Sequence, residues 1–342
     1  MSDEPTRAAF LEKRATGIGG SDAAAVCGAP PAETFGNTSL SIYIDKVGYL
    51  DGVPQWSGRD EETFDMRRGT LMEPVVLQMY TDETGRVVRK PEEPYVSQAY
   101  PFVRANLDGI TLDGTVGIEA KTARSRKGWG DPWSAEVPLA YLFQVQHNMV
   151  AAGLEVMHVP VLFGDFNFAI YEVEADREFQ GLMLEQEARF WAMVEARTPP
   201  DPVSDADVSK RWPLSRPIGR PATKSDLEVG GHLLAVRDYF KGLEALKKSL
   251  EAELKRSMED VEALVCGEET VCTWKTAKGA ARFDTKKFRA AHPKLYEEYS
   301  YQSAPSRRFL LKEKAACLEI MRPLLHEDLL PKRELIGSEH SS

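Results

Sequence analysis

From about Asp60 to Glu83, apolar side chains recur at helical spacing: Leu71, Met72, Val75, Val76, Met79 and Tyr80. Residues three and four apart share one face of a helix, so this stretch predicts an amphipathic helix that Gly85 can terminate. The pattern changes at Arg86. RVVRK, PYVSQ, PFVRANLDGITL and GTVGIEAKT are short, rich in β-branched residues and separated by Gly, Pro and Asp-Gly. They predict three to five strands joined by hairpins. A helix follows from about Pro138 to Ala152 and stops at Gly153. Proline is tolerated in a first turn because the N–H it lacks would have no partner there. VMHVPVLFG and FAIYEVE read as strands, and Asp176–Ala196 as a long helix. Upstream, GSDAAAVCG predicts a short helix with Ser21 or Asp22 as its N-cap. Helices, antiparallel strands, helix, strands, helix: the order predicts a mixed α/β (α+β) fold, a central sheet flanked by helices.

The patterning breaks at Thr198–Pro199–Pro200–Asp201–Pro202, and three further prolines follow at 213, 217 and 221. Such polar, Pro-rich stretches are linkers or surface crossings. They place a boundary near residue 203, giving a first domain over 1–203 and a C-terminal region over 204–342. The second region opens with a long charged helix predicted over Ser225–Leu264. Its leucine spacing suits a partly exposed or coiled-coil-like helix. A hairpin (ALVCG, EETVCTWKT, with Gly267 near the turn), a basic helix (TKKFRAAHPKLYEEY) and a strand-like RRFLLK complete it.

Composition changes this picture in one respect. The chain has 342 residues, 42% hydrophobic and 28% charged, which excludes a mostly disordered, collagen-like or coiled-coil protein. The formal charge is −10, yet residues 1–203 carry −13 and residues 204–342 carry +3. Residues 273–312 hold 10 basic and 3 acidic side chains. An acidic body excludes a passive coat on nucleic acid but not a local basic groove. No run approaches the roughly 20 apolar residues that span a bilayer, and MSDEPTRAAFLEKR lacks the apolar core of a signal peptide. Cys27, Cys266, Cys272 and Cys317 have no metal-ligand spacing. They are expected to be reduced thiols in a cytoplasmic protein.

Candidate chemistry concentrates in NLDGIT and GIEAKT. Asp108 begins a turn between two strand-like segments, and Glu119 and Lys121 sit two apart on a strand, hence on one face. A hairpin can bring Asp108 alongside them. Two carboxylates in one place suit a hard divalent cation, with the Ala120 carbonyl as a further oxygen ligand. The lysine can position or help deprotonate a water and stabilise charge on a phosphate. A surface hairpin with a Glu–Lys pair is the plain alternative. RATGIGGSD (Arg14 to Asp22) is a Gly-rich turn running into a helix, a geometry that binds phosphate or merely turns the chain. Glu73 stands in RRGTLMEP, and Gln144 lies in an apolar helix where a buried amide needs partners. His147 is expected to be a packed or solvent-facing histidine. Arg124, Arg126 and Lys127, near Trp129 and Trp133, form a basic aromatic loop that could grip or wedge DNA, or simply be solvated.

In this order, RATGIGGSD, RRGTLMEP, ANLDG…GIEAKT and YLFQVQHNM resemble the lambda-exonuclease / YqaJ-like viral recombinase family, a branch of the PD-(D/E)xK nucleases. The resemblance spans roughly residues 7–200. The later hairpin, basic helix and RRF strand resemble the tails of longer phage members. The resemblance implies a restriction-endonuclease-like core in which Asp108, Glu119 and the Ala120 carbonyl hold Mg²⁺, with Mn²⁺ able to substitute. It implies that Lys121 orients the attacking water and Glu73 supports a metal or its waters. Gln144 would contact metal-bound water, with Gln146 as second choice, and Arg14 and Ser21 would bind a 5′-phosphate. This sequence has Leu107 where the core motif often has Pro, and one residue more between Asp108 and Glu119 than some relatives, to be absorbed at Asp113–Gly114. The implied activity is 5′→3′ degradation of linear double-stranded DNA, leaving 3′ single-stranded overhangs for recombination. A ring-shaped homo-oligomer, a trimer above all, and a single-strand annealing protein as partner are implied too, with no membrane. Another nuclease on the same core, such as an endonuclease, or a non-catalytic DNA-binding or scaffold protein are the alternatives.

Overall fold

The computed structural model describes residues 15–30, 34, 36–51, 64–303 and 307–310. The chain divides into two compact units, Met1–Trp212 and Pro213–Ser342.

Among the described residues, the first complete elements of unit 1 are β1 (Ile18–Gly19), α1 (Gly20–Val26) and α2 (Ser39–Leu50). α1 is the predicted short helix, but its N-cap is Gly19, which makes no side-chain cap bond, so Ser21 and Asp22 fall in the first turn instead. α2, which the apolar pattern did not signal, is closed by a reciprocal capping box between Thr38 and Ser41. α3 (Phe64–Thr84) runs through Pro74. It buries Val76 and Tyr80, whereas Leu71 and Val75 of the predicted apolar stripe are exposed.

The strands follow as β2 (Val88–Arg89), β3 (Tyr95–Val96), β4 (Val103–Ala105), β5 (Gly109–Thr111), β6 (Val116–Ile118) and β7 (Lys121–Ala123). α4 (Leu139–Ala152) starts after Pro138 and ends at Gly153, whose φ of 68° is left-handed, as predicted. β8 (Val156–Phe163), β9 (Phe168–Glu174) and α5 (Arg177–Glu195), N-capped by Asp176, match the pattern closely. β1, β4 and β3 form a small sheet; the main sheet runs β2–β5–β6–β8–β7, with β9 antiparallel along β8.

β6 and β7 run parallel to β8 in one continuous register, Ile118 opposite His158 and Lys121 opposite Val161. They are two halves of one strand, interrupted at Glu119–Ala120. The cause lies across the sheet. Glu119 N–H donates to His158 O (3.0 Å), and the next step of a parallel ladder needs an N–H from residue 160. That residue is Pro160, which has none.

The two faces of the main sheet are covered differently. α4 packs Val145 and Met149 on Met157, Val159, Val161 and Tyr171. α3 packs Tyr80 on Val116, Ile118 and Ile170. A third cluster joins Ile18, Leu40, Ile42, Phe190 and Val194 beneath α1, α2 and α5. The arrangement is thus the expected mixed sheet flanked by helices, with the helix–hairpin–strand–helix–strand order of the expected core.

α6 (Asp205–Arg211) closes unit 1. The unit extends to Trp212, nine residues beyond the break at 203, because Asp207 ties α6 back. Its buried carboxylate accepts from Thr38 Oγ1 (2.7 Å) and from the N–H of Val203 (3.1 Å).

Unit 2 comprises α7 (Lys224–Met258), the hairpin β10 (Ala263–Cys266) and β11 (Glu269–Thr273), α8 (Thr285–Ala291) and α9 (Pro293–Glu298). Three expectations are corrected here. The long helix stops at Met258, where Glu259 turns left-handed (φ 50°), and Leu264 lies in a strand. The basic helix is two helices, parted at His292 because Pro293 disfavours helical geometry in the residue before it. Residues 307–310 of RRFLLK carry no regular structure, and the rest of that segment lies outside the described residues. The hairpin turns at Gly267 (φ 60°), as expected. Among the described residues no helix is long and apolar enough to cross a membrane, and Cys27, Cys266 and Cys272 are free thiols.

Candidate active site

The β5–β6 hairpin sets the site. Pairing of Gly109 with Ile118 places Asp108 across from Glu119–Ala120, and Ala120 N–H donates to Asp108 Oδ2 at 2.8 Å. The Asp113–Gly114 turn closes this hairpin. Gly114 takes φ 74° there, and Asp113 Oδ1 accepts from Thr111 Oγ1 (2.5 Å), Thr115 N–H (3.0 Å) and Thr115 Oγ1 (2.9 Å). These bonds pull the Asp113 carboxyl down to about 2. Gly109 itself has no room for a side chain: a Cβ there would stand 2.3 Å from Val88.

Glu119 is the hub. It is 3% exposed, and both its oxygens are held. Oε1 accepts from Lys121 Nζ (2.7 Å) and Gln144 Nε2 (2.6 Å), and Oε2 from Asn148 Nδ2 (3.0 Å). Lys121 Nζ also donates to Gln144 Oε1 (3.1 Å) and lies 4.9 Å from the Tyr141 ring centre. Burial disfavours the Lys121 ammonium, but Glu119 and Asp108 outweigh it and raise its pKa. Lys121 donates to both Glu119 and Gln144 in this arrangement. Burial, then Glu119, with a further push from Glu73, drives the Asp108 carboxyl well above the usual range, against the opposing pull of Lys121 and the Ala120 N–H. Glu73, on α3, pairs its own carboxylate with Lys90 (2.8 Å).

The structure chooses between the two glutamines. Gln146 points away and knits the fold, donating to Glu174 O (2.8 Å) and accepting from Asp176 N–H (3.1 Å) and Gln180 Nε2 (2.9 Å). His147 is fully buried between Glu187 (Nδ1, 2.7 Å) and Arg104 O (Nε2, 3.1 Å), a packed histidine apart from the site. Burial lowers its pKa, but Glu187 outweighs that and the net shift is upward.

Gly20 explains part of the glycine run. A Cβ there would stand 2.3 Å from Asn148 Oδ1 and 3.0 Å from Gln144 O, so glycine lets the start of α1 lie directly on the site face of α4. Ser21, the next residue, is exposed; Arg14 lies outside the described residues.

The basic loop is partly spent on the fold. Trp129 packs among Tyr141, Phe163 and Tyr171, at ring distances of 4.9–5.9 Å for the set, so it is a core residue and not a wedge. Trp133 is half-exposed with φ 67° and sets its ring edge-on to His158. Arg124 pairs with Asp65 (3.0 Å), and Arg126 lies over the Phe163 ring (5.1 Å); both arginines are exposed. Asn148 and Tyr141 are the site neighbours that the sequence reading passed over. The signal for Asn148 was there: it follows Gln144 by four residues and so shares its helix face.

The order and spacing of these elements now bear comparison with known proteins. Residues 9–155 match the YqaJ-like viral recombinase domain. The resemblance drawn from the ordered motifs is borne out. The chain is 28% identical over 322 residues to the uncharacterized protein YqaJ of Bacillus subtilis (strain 168), covering 91% of this chain and 96% of that one. Among solved structures it is similar to an alkaline exonuclease, LHK-Exo, from Laribacter hongkongensis. That likeness has a TM-score of 0.45 and 19% identity over 59% of this chain and 95% of the other. LHK-Exo in complex with dAMP gives 0.44 and 21%, over 55% and 93%. A phage-related exonuclease from Haemophilus somnus 129PT gives 0.42 and 12%, over 53% and 94%.

Proposed function

We propose that unit 1 is a divalent-metal-dependent nuclease that degrades linear double-stranded DNA from a 5′ end, leaving a 3′ single-stranded overhang for recombination. The observation that carries this reading is the convergence of Asp108, Glu119, Lys121 and Gln144 on one point of the interrupted strand, inside a YqaJ-like domain.

The donor set fits Mg²⁺. Asp108 and Glu119 offer hard carboxylate oxygens, and the Ala120 carbonyl a third. Among the described residues no group of three or more His, Cys, Asp or Glu side chains could hold a metal. Mg²⁺ asks for no such cage, since it keeps several waters and takes one or two carboxylates plus substrate phosphate. When bound, Mg²⁺ or Mn²⁺ supplies water activation and Lewis-acid stabilisation of the phosphoryl oxygens. Lys121 is the fixed positive charge at the reacting phosphate and orients the attacking water. Gln144 bridges the Lys121 and Glu119 head groups, and Glu73 orders water from the α3 side. Ser21, with Arg14, binds the 5′-phosphate, and Arg124 and Arg126 contact the DNA backbone. By family likeness the working form is a ring-shaped homo-oligomer, a trimer, acting with a single-strand annealing protein.

The test is timed digestion of end-labelled linear duplex, with and without a 5′-phosphate, beside a closed circle, in Mg²⁺ and in EDTA. Loss of label from the 5′ end of linear DNA alone, abolished by EDTA and by Glu119→Ala, is expected. Cleavage of closed circles would make it an endonuclease, and a fully active Glu119→Ala would overturn the site.

A further inference from the structure

Unit 2 carries a surface that the proposed chemistry leaves unused. Between residues 273 and 303 lie seven lysines and arginines, from Lys275 to Lys294, against three carboxylates. All seven are exposed, and among the described residues none of them forms an ion pair. On α7, Lys224 and Lys247 each pair with an acid one turn along the same helix. An uncompensated cationic surface in a chain of net charge −10 fits a polyanion.

Aromatic rings are interleaved with these charges. Trp274, Phe283, Tyr299 and Tyr301 are exposed, Tyr299 by 79% and Tyr301 by 91%. The short helices hold ring contacts of their own. Phe288 packs at a tilt against Phe283 (4.9 Å) and His292 (5.3 Å), and Arg289 lies over the Tyr296 ring (5.1 Å). Duplex DNA hides its base faces in its own stack, so exposed rings gain nothing from it. An unpaired strand offers both phosphates for the cations and base faces for the rings.

We propose that residues 273–303 of unit 2 form a binding surface for single-stranded DNA. The source of that strand, the product of the nuclease, rests on the function proposed above; the binding does not.

The experiment uses the full chain in EDTA, where no turnover occurs, and fluorescein-labelled (dT)30 read by anisotropy, with a 30-base-pair duplex as control. Tyr299→Ala and Tyr301→Ala remove rings with almost no packing, so folding is kept, and each is expected to weaken (dT)30 binding about fivefold or more. Lys286→Ala with Lys287→Ala is expected to reduce the slope of log affinity against log salt by about 1.4. Duplex binding by the tyrosine variants is expected to stay unchanged. Tyrosine variants that bind (dT)30 like the parent, or lose duplex binding equally, would overturn the proposal. Displacement of (dT)30 by poly-glutamate as readily as by unlabelled strand would assign the surface to an acidic protein instead. Glu119→Ala is expected to bind (dT)30 normally, so an inactive enzyme and an absent strand site give different results.

Discussion

Asn148 offers a sharp test of how the site is held. Its Nδ2 donates to Glu119 Oε2 at 3.0 Å, with both residues buried (2% and 3% exposed). Oε1 keeps Lys121 and Gln144, but no other described residue donates to Oε2. Asn148→Ala therefore leaves half of a buried carboxylate without its donor. A hydrogen bond to a charged group contributes about 1.5–3 kcal/mol, and that loss is not recovered where water cannot reach. In a unit of this size each kcal/mol moves Tm by about 2–4 °C, so a fall of about 3–12 °C is expected. Asn148→Asp keeps the shape but sets a second carboxylate against Glu119 and is expected to cost more. Thermal and urea unfolding of the parent and both variants measure this. A freed Glu119 should also lower the nuclease rate while duplex binding in EDTA is kept, which separates a lost orientation from a lost fold. If Asn148→Ala unfolds within about 0.5 kcal/mol of the parent, the size expected of an ordinary surface substitution, the bond does not secure Glu119.

Gly20→Ala should destabilise unit 1 by about 1–3 kcal/mol, because its Cβ must push Asn148 Oδ1 from 2.3 Å; a neutral result in urea unfolding would refute the close approach of α1 and α4. The raised pKa of His147 means that its pairing with Glu187 contributes fully below about pH 6.5, the unfolded value, and is lost as pH rises through the folded one. Glu187→Gln should therefore fall furthest behind the parent at acid pH, with the gap closing as pH rises; a gap independent of pH in urea titrations would contradict this. Asp113, held at about 2, contributes above its unfolded value and loses that contribution as pH falls toward 2. Asp113→Ala should then flatten the acid limb of the stability curve between pH ~4 and ~2, and an unchanged limb would deny the turn its role.

Most of the regular elements were legible because their signals are local. Gly153 ends α4 and Asp176 caps α5 by chemistry within a few residues, and the alternation in VMHVPVLF and FAIYEVE needs no partner to be read. The charges of Asp108, Glu119 and Lys121 were equally plain, since a two-residue period in an extended chain puts side chains on one side. α2 and α6 carry local caps, Thr38 with Ser41 and Ser204 with Asp207, that the apolar pattern does not register; only the bond that ties the two together, Thr38 to Asp207, spans distant segments.

What lay across the sheet or between helices only the tertiary structure decided. Pro160, forty residues on, breaks the strand at Glu119 by lacking one proton. Gln144 and Gln146 are alike in sequence, and only the packing of α4 turns the first toward Lys121 and the second toward Glu174. Trp129 looked like a loop residue and packs against the core, while Asn148, which the sequence reading passed over, holds Glu119. Sequence by itself determined which residues could do chemistry and where most elements run, because propensity and periodicity act over a few residues. Which of those residues meet was decided by contacts between segments far apart in the chain, which no local period encodes.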